Sequence, residues 1–431
     1  MKGPFFINFM IIMSCICVCS AVLWNYVYRR SRWLALVVFV AAATVIAGAG
    51  LSYYGRVFPA VQGTAEGMLL MYGSLGAISW FFLFFLAFPV LVVAAAAVFI
   101  ERRLRRWKRK RRGVTDMPPV PPEKGQGRGI SRRSFLRAAA AVIPVAAAST
   151  SVLGNFVGES YLAVTRHDLY YPDLPDYLEG YKIGQISDIH LGLFVSPGRL
   201  REALEALAAE GVNRVEITGD LIDELSLLPQ CGDVLREMAA KFPDGIDYCY
   251  GNHEYYRGLE AITAMLETTP VRILRNRAIE ASAGRGEGLA GRSGQDRAPF
   301  YVAGVDYSFA RGDEAFAAQR REYVAQALDG VPESAFVVML AHHSDFIDEG
   351  FAFRIPLTMC GHTHGAQFAL IGPIVESVGF KYLRGMYRQE GSYGYVNRGT
   401  GHWLPFRVFC SREATVFALH KGYIGGNNRN L

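Results

Sequence analysis

Five short segments in the second half of the chain carry side chains that commonly bind metal ions. Together they offer eight oxygen and nitrogen ligands, in the segments Asp188-Ile189-His190, Gly219-Asp220, Gly251-Asn252-His253-Glu254, His342 and Gly361-His362-Thr363-His364. All nine histidines follow residue 166 and five of them lie in these segments, a clustering that scattered structural histidines would not produce. Eight ligands suffice for two neighbouring divalent ions, which can activate water and hold a phosphate for in-line displacement.

The types of ligand limit the choice of metal. Carboxylate and amide oxygens mixed with imidazole nitrogens suit Mn²⁺, Fe or Zn²⁺, and the residues leave open which of these binds. Two such ions about 3.5–4 Å apart would lower the pKa of a bridging water, so that a hydroxide forms near neutral pH.

Short apolar runs that end at these motifs predict strands, and the stretches between them predict helices. The predicted strands are Lys182–Ser187, Arg214–Thr218, Ile246–Tyr250, Phe300–Val305, Ala335–Ala341 and Leu357–Cys360, and the predicted helices are Pro197–Glu210 and Gln230–Ala240. Ligands in α/β sheets gather at the carboxyl ends of strands. The pattern therefore predicts an α/β domain with one shared site.

The order Asp-x-His, Gly-Asp-x-x-Asp, Gly-Asn-His-Glu, His and Gly-His-x-His resembles the calcineurin-like metallophosphoesterase superfamily, over about residues 180–420. The later segments Tyr395–Gly401, Pro405–Arg407 and Arg412-Glu413 resemble its bacterial, membrane-anchored branch. The resemblance implies a four-layer αββα sandwich, in which helices flank two mixed β-sheets. It also implies an enzyme that hydrolyses phosphoric esters with a dinuclear metal site.

The resemblance assigns a role to each ligand. It implies that the first metal is held by Asp188, His190 and His364. It implies that the second metal is held by Asn252, His342 and His362, and that Asp220 bridges the two ions. His253 then remains outside the ligand set, and it is suited to protonate the leaving alkoxide or to stabilise the transition state.

Three neighbouring residues are expected to lie outside the ligand set. Asp223 is expected to orient a ligand histidine rather than to bind metal itself. Glu254 is expected to be structural or to support a ligand. His342 and His343 are adjacent, and we choose His342 as the ligand because it directly follows a predicted strand, at the position that the family uses.

Two apolar segments lie next to the predicted ligands. Leu191–Val195 and Ile371–Tyr387 either pack in the core or form an apolar wall suited to a lipid-linked phosphate. The Gly-rich and charged segment Ala281–Ala298 is predicted to be a surface loop.

The first hundred residues contain three apolar runs without charged side chains, Phe5–Val27, Trp33–Gly50 and Met68–Ile100. A membrane-spanning helix needs about 20 apolar residues, so we expect three spans. The basic loops that follow the first and third runs, around Arg29 and over Arg102–Arg112, are expected to be cytoplasmic.

A fourth apolar segment precedes the metal-binding motifs. Ser131–Arg137 followed by Ala138–Val157 resembles a twin-arginine signal, although it begins far from the N-terminus. An ordinary fourth transmembrane helix is the alternative. Either interpretation places the residues after 158 outside the cytoplasm, on a protein of the inner membrane.

We therefore expect four regions: a membrane region at 1–112, a flexible cytoplasmic linker at 113–130, a helix or signal anchor at 131–157, and the catalytic domain at 158–431. The expected substrate is a phosphorylated small molecule or a lipid-linked phosphate, and membrane lipid is the expected partner. A membrane sensor or scaffold with structural metals is the alternative.

The distribution of charge argues against nucleic acid as a partner. The chain carries +6, but residues 1–137 hold 19 Lys or Arg and four Asp or Glu, so residues 138–431 carry −9. An acidic domain gains nothing from the counterion release that drives nucleic-acid binding.

Overall fold

The computed structural model describes residues 160–281, 298–367, 380–402 and 407–423, together with 88–108, 153–158 and a few single positions before residue 150. The chain divides into two compact units, Met1–Asn155 and Phe156–Leu431. Within the first unit, residues 88–108 form a helix. The first two predicted spans, the linker and the twin-arginine-like segment lie wholly or largely outside the described residues. In the part that is described, no helix is both long enough and apolar enough to cross a membrane, and the spans stay predictions.

The second unit contains two six-stranded mixed sheets. The strands of the first sheet, in spatial order, are β1 (Leu162–Tyr171), β12 (Arg412–Lys421), β2 (Lys182–Ile186), β3 (Arg214–Thr218), β4 (Ile246–Cys249) and β5 (Arg272–Ile273). The strands of the second are β10 (Gly385–Gln389), β11 (Ser392–Val396), β9 (Leu357–Cys360), β8 (Phe336–Leu340), β7 (Phe300–Gly304) and β6 (Arg277–Glu280).

Parallel pairing in both sheets brings the motif-bearing strand ends to common edges. β2, β3, β4 and β5 run parallel to one another, and so do β7, β8, β9 and β11. Antiparallel neighbours complete each sheet, with β12 beside β2 and with β10 and β6 at the edges of the second sheet. Parallel strands need long crossovers, and these supply the helices.

In the described part of the second unit, six α-helices follow in the order α1 (Pro197–Ala209), α2 (Leu228–Ala239), α3 (Asn252–Arg257), α4 (Leu259–Glu267), α5 (Asp313–Ala327) and α6 (Phe346–Ala352). Apolar residues of α1, α2 and α4 pack with the first sheet in one hydrophobic cluster. Apolar residues of α5 and α6 pack with the second sheet in another. A third cluster contains residues of both sheets, such as Ile183, Phe300, Leu357 and Phe417, and fills the space between them. Two mixed sheets flanked by helices are thus observed, as expected.

The predicted elements agree with the structure to within a few residues. The strands Arg214–Thr218 and Leu357–Cys360 have the expected bounds, and the first helix ends one residue early, at Ala209. Ser196 is its N-cap residue, although the serine side chain makes no capping hydrogen bond there. The second helix begins at Leu228 rather than Gln230, because Pro229 fits the first turn of a helix.

Candidate metal centre

Each predicted ligand segment follows a strand after only two or three residues. Asp188 follows β2, Asp220 follows β3 and Asn252 follows β4, all in the first sheet. His342 and His362 follow β8 and β9 in the second sheet. The two sheets therefore contribute opposite sides of one site, at the carboxyl ends of their parallel strands.

The backbone is strained at five of the predicted ligands. The φ angles are 51° at Asp188, 52° at His190, 53° at Asp220, 74° at His362 and 51° at His364. Residues other than glycine rarely adopt this left-handed backbone conformation. Holding one residue in it costs on the order of 1–3 kcal/mol of folding free energy. Strain concentrated in this way is typical of a functional site whose surroundings fix the ligand directions.

Glu254 fixes two of the ligand turns relative to each other. Its fully buried carboxylate accepts hydrogen bonds from the backbone N–H groups of Asp220 (3.1 Å), Leu221 (2.7 Å) and Gly251 (2.7 Å). It therefore joins the turn after β3 to the turn after β4. Glu254 thus supports the turns that carry predicted ligands, which agrees with the expected supporting role.

Two glycines allow ligand turns to approach each other closely. A Cβ atom on Gly251 would lie 2.2 Å from Oδ1 of Asp220, and one on Gly361 would lie 1.9 Å from Oγ of Ser187 and 2.3 Å from Oδ2 of Asp188. No side chain fits at either position. The space is taken by the predicted ligand Asp188, by the predicted bridge Asp220 and by Ser187, whose Oγ lies 2.6 Å from Asp188 Oδ2.

The first group of ligands consists of Asp188, His190 and His364, whose potential ligand atoms all lie within 4.8 Å of one another. Nε2 of His190 and Nε2 of His364 are 3.1 Å apart, and Nε2 of His364 is 3.5 Å from Oδ1 of Asp188. This is the set that the resemblance assigns to the first metal.

The second group consists of Asp220, His342 and His362, with ligand atoms again within 4.8 Å of one another. Nε2 of His342 lies 3.2 Å from Oδ2 of Asp220 and 3.2 Å from Nδ1 of His362. The Nδ1–H of His342 donates to the carbonyl oxygen of Thr218 at 2.7 Å, which directs Nε2 toward the site. His343 is in neither group.

Asp220 lies between the two groups. The same oxygen that approaches His342, Oδ2, is 3.5 Å from Nε2 of His190. A carboxylate in this position is suited to bridge two ions. Asn252 is also buried, and among the described residues its Oδ1 has no hydrogen-bond partner. A buried carbonyl oxygen without a donor costs on the order of 1–3 kcal/mol, and a metal ion would satisfy it.

The electrostatics of the site favour cations. Burial lowers the pKa of His342, but the carboxylates of Asp220 and Asp188 outweigh it and raise that pKa to about 10. Burial and the neighbouring histidine His190 hold the pKa of His364 well below its ordinary value, so this imidazole is neutral, as a ligand must be. Burial opposes ionisation of Asp220, but His342 and His253 keep its pKa well below the usual range.

His253 lies beside both groups. It forms a third set with His190 and Asp220 whose ligand atoms lie within 4.8 Å. Its Nδ1 is 2.5 Å from Oδ1 of Asp223, and the other oxygen of Asp223 is 3.4 Å from Nδ1 of His190. Asp223 therefore orients two histidines at once. Within the described part of the chain, the hydrogen bond of the His253 side chain is made by Nδ1, and Nε2 is the nitrogen that could face a substrate.

The apolar segments next to the site differ in their roles. Leu191 and Val195 are buried and belong to the core cluster of the first sheet, so this segment packs in the core. Residues 371–379 lie outside the described residues. The ring of Phe380 makes an edge-to-face contact with that of His362, with ring centroids 5.9 Å apart.

Three aromatic residues near the site, Tyr256, Tyr307 and Phe309, were not among the predicted site residues. Their rings contact those of His253, His342 and His362 directly or through one another. Tyr256 was detectable, because it follows His253 by three residues in a helix and so lies on the same face.

The chain is similar to several curated proteins, although no protein-family model matches it. An uncharacterized metallophosphoesterase of Helicobacter pylori is 28% identical over 279 residues, which is 62% of this chain and 68% of the relative. The uncharacterized metallophosphoesterase YkuE of Bacillus subtilis is 27% identical over 303 residues, 67% of this chain and 98% of the relative. A Danio rerio protein named as a transmembrane protein with a metallophosphoesterase domain is 27% identical over 252 residues, 57% of this chain and 54% of the relative.

Solved structures are more distant. A putative 5′-nucleotidase from Staphylococcus aureus has a TM-score of 0.34 at 12% identity and covers 57% of this chain, which spans 56% of that structure. A dimetal phosphatase from Danio rerio has a TM-score of 0.27 at 13% identity, with 53% of this chain and 90% of that structure covered. Scores this low carry no weight here. The sequence relatives and the clustered His and Asp side chains support a metal-dependent hydrolase that acts on phosphoric ester bonds.

Proposed function

We propose that the domain uses two divalent ions to hydrolyse a phosphodiester, phosphomonoester or pyrophosphate bond. The single observation that carries this proposal is the position of Asp220 Oδ2, which is 3.2 Å from His342 Nε2 and 3.5 Å from His190 Nε2. One carboxylate oxygen thus faces an imidazole nitrogen of each ligand group, as a ligand shared by two ions would.

Two bound ions would activate a water molecule and neutralise the phosphate charge between them. The residues suited to hold them are Asp188, His190 and His364 on one side, Asn252, His342 and His362 on the other, and Asp220 between. Mn²⁺, Fe and Zn²⁺ are each compatible with this mixture of oxygens and imidazoles.

His253 would supply the proton that the leaving group needs. In the reaction, water would lose one proton to the solvent and bond to phosphorus as hydroxide while the bond from phosphorus to the leaving oxygen breaks. The leaving oxygen would take the proton from His253, which would then recover a proton from the solvent. Burial lowers the pKa of His253, but the carboxylates of Asp223 and Asp220 raise it above its ordinary value. A raised pKa favours the imidazolium, the form that a general acid requires.

The proposal is tested with the full chain in detergent, loaded in turn with Mn²⁺, Zn²⁺ and Fe²⁺. Metal content is measured together with hydrolysis of bis-p-nitrophenyl phosphate, p-nitrophenyl phosphate and inorganic pyrophosphate. Asp220→Asn should lose at least one bound ion and most of the activity. Asp168→Asn is the matched control, because Asp168 is an exposed carboxylate on β1.

We also propose that the protein is anchored in the cytoplasmic membrane, with the domain on the outer side and a lipid-linked phosphate among its substrates. The apolar runs and the basic segments that follow them support this. Relatives from Danio rerio and Bos taurus are named transmembrane proteins with a metallophosphoesterase domain. Protease digestion of intact and permeabilised spheroplasts tests the orientation. Cleavage of the domain only after permeabilisation would contradict it.

Two bound ions without hydrolysis of any of these substrates would instead favour the alternative, a membrane sensor or scaffold with structural metals.

A further inference from the structure

Three aromatic side chains line one side of the metal centre, and we call Tyr256, Tyr307 and Phe309 the aromatic rim. The ring of Tyr256 lies 5.8 Å from that of His253, and the ring of Tyr307 lies 5.6 Å from that of His362. Phe309 connects them, with ring centroids 4.8 Å from Tyr307 and 5.9 Å from Tyr256. The rim therefore extends from the proposed general acid to the second ligand group.

The rim is open to solvent. Tyr256 is 47% exposed and Phe309 is 45% exposed, although Phe309 also packs against Tyr255 at 5.1 Å. Large apolar side chains clustered at the surface commonly mark a binding site. Rings held on one side by other rings, and open on the other, offer flat surfaces at little cost in conformational entropy.

The chain fixes these positions for identifiable reasons. Tyr256 lies one helical turn after His253 in α3, so both side chains lie on the same face of that helix. Tyr307 and Phe309 follow β7, which runs parallel to the β8 strand that precedes His342. Burial first, and the charge of Asp220 second, raise the pKa of the Tyr256 phenol, which is consistent with its nearness to the site.

Two cavities adjoin the rim, of about 410 Å³ and about 330 Å³. Tyr307 and Phe309 line both of them. The larger cavity is also lined by Arg275 and Asp306, whose side chains form an ion pair at 2.7 Å. Its size suits a small organic group, and its lining of rings and charges does not suit an acyl chain, which would leave the charged groups without solvent.

Resting on the proposed hydrolysis, we propose that the aromatic rim binds the leaving group of the substrate by ring stacking, and that this leaving group is a planar aromatic ring system. The position beside His253 carries the assignment, because the ring of Tyr256 lies 5.8 Å from that of the proposed proton donor and Phe309 packs against Tyr256. An aryl or nucleobase ring stacks on such faces whatever its substituents, whereas a saturated chain gains only burial.

The test compares two substrates that differ in aromaticity but not in ring size. Dibenzyl phosphate releases a slightly more acidic alcohol than bis(cyclohexylmethyl) phosphate does, so the ratio of their kcat/KM values is divided by the ratio of their hydrolysis rates in Mn²⁺ solution without protein. With the Mn²⁺-loaded full chain, kcat/KM should favour the benzyl ester by about 2- to 12-fold, the amount that an aromatic pair contributes beyond its buried area.

Matched variants locate the preference. Phe309→Leu should reduce the ratio to about one, and Phe309→Tyr, which keeps the ring, should preserve it. Phe353→Leu is the control, since Phe353 is a surface aromatic residue at the end of α6, outside the rim. Thermal unfolding and metal content of each variant show that the fold and the ligands are intact.

A binding measurement separates this inference from the proposed hydrolysis. Calorimetry with benzylphosphonate and cyclohexylmethylphosphonate, which have no cleavable phosphorus–oxygen ester, should give the same preference in Kd. If no ester is hydrolysed but benzylphosphonate binds more tightly than cyclohexylmethylphosphonate, the inference about the aromatic rim is supported and the proposed hydrolysis is wrong. Octylphosphonate serves as the probe for an acyl chain. If both esters are hydrolysed equally, the proposed hydrolysis is supported and the inference of an aromatic leaving group is wrong. That inference is also wrong if octylphosphonate binds more tightly than benzylphosphonate.

Discussion

Replacing Glu254 with glutamine should loosen the two turns that carry Asp220 and Asn252. Oε2 of Glu254 accepts from the N–H groups of Asp220 and Gly251, and Oε1 accepts from that of Leu221. A glutamine keeps one acceptor oxygen and presents an NH₂ group where the other stood. The best arrangement therefore leaves one buried N–H without an acceptor.

The magnitude follows from that single lost acceptor. A buried unsatisfied donor costs about 1–3 kcal/mol, and the two remaining hydrogen bonds lose the strengthening that a charged acceptor gives. One effect opposes this loss. Burial, and next the charge of Asp220, raise the pKa of Glu254, so removing its charge relieves some repulsion. We expect a net loss of about 1–3 kcal/mol, or a fall in Tm of roughly 2–10 °C for a domain of this size.

The assay combines thermal unfolding with Mn²⁺ titration of the full chain. Because the two turns orient predicted ligands, metal affinity should fall by about 10- to 100-fold, as it does when groups that orient ligands are lost. Glu267→Gln is the control, since Glu267 is an exposed carboxylate at the end of α4. An unchanged Tm and an unchanged Kd for Mn²⁺ in Glu254→Gln would show that this carboxylate does not hold the turns.

Three further changes test other parts of the structure. Gly251→Ala would place a methyl group 2.2 Å from Oδ1 of Asp220, and we expect it to abolish metal binding and to destabilise the domain by about 1–3 kcal/mol. Asp223→Asn removes the carboxylate that raises the pKa of His253, so kcat should fall by about 10- to 100-fold and the alkaline limb of its pH profile should move to lower pH. Acidic neighbours raise the pKa of His420, so its stabilisation is complete below about pH 6.5 and is lost as pH rises through the raised value. His420→Gln should therefore lower the free energy of unfolding at acidic pH, by less than about 1 kcal/mol for a partly exposed pair, and Tm should fall with it. At alkaline pH the variant should hardly change either quantity.

Each of these changes has a control or a contrary result. A Cβ on Gly198, in α1, would meet only Ser196 Oγ at 3.5 Å, so Gly198→Ala should leave Tm and metal content intact. Asp233 is 72% exposed at its side chain, and Asp233→Asn should not alter the pH profile. Wild-type metal binding in Gly251→Ala would refute the close-packing argument. A Tm difference for His420→Gln that grows with rising pH would reverse the sign assigned to its pKa.

Much of the sheet framework was predictable because buried parallel strands are continuous apolar runs. Leu357–Cys360 was predicted with its observed bounds for this reason. Arg214–Thr218 alternates polar and apolar residues, and its bounds were predicted from its place before Gly219-Asp220. β1 and β12 were not predicted. They pair with each other across about 250 residues of sequence, in a register that joins Leu162 to Arg412. β1 carries no motif, and in β12 only Arg412-Glu413 was singled out, as part of the family resemblance and not as a strand.

Helices without a regular apolar face were also missed. α5 is largely polar on all sides, and its contact with the rest of the domain includes a buried ion pair from Arg320 to Glu349 in α6. Such a pair replaces the apolar stripe that identifies an amphipathic helix. An arginine or a glutamate in a sequence does not by itself indicate that its side chain is buried.

The same distinction explains which residues of the site were found. A metal ion accepts only a few types of side chain, so Asp188, His190 and their partners stand out in the sequence by their types and spacing alone. Glu254 binds backbone amides and Phe309 presents a ring, and both are tasks that many surface or core residues of the same type perform elsewhere. Their roles depend on what lies next to them in space, three amides from two turns in one case and an open metal centre in the other. Substrate choice in this domain is therefore expected to depend on residues of the second kind, because replacing them leaves the ligand motifs unchanged.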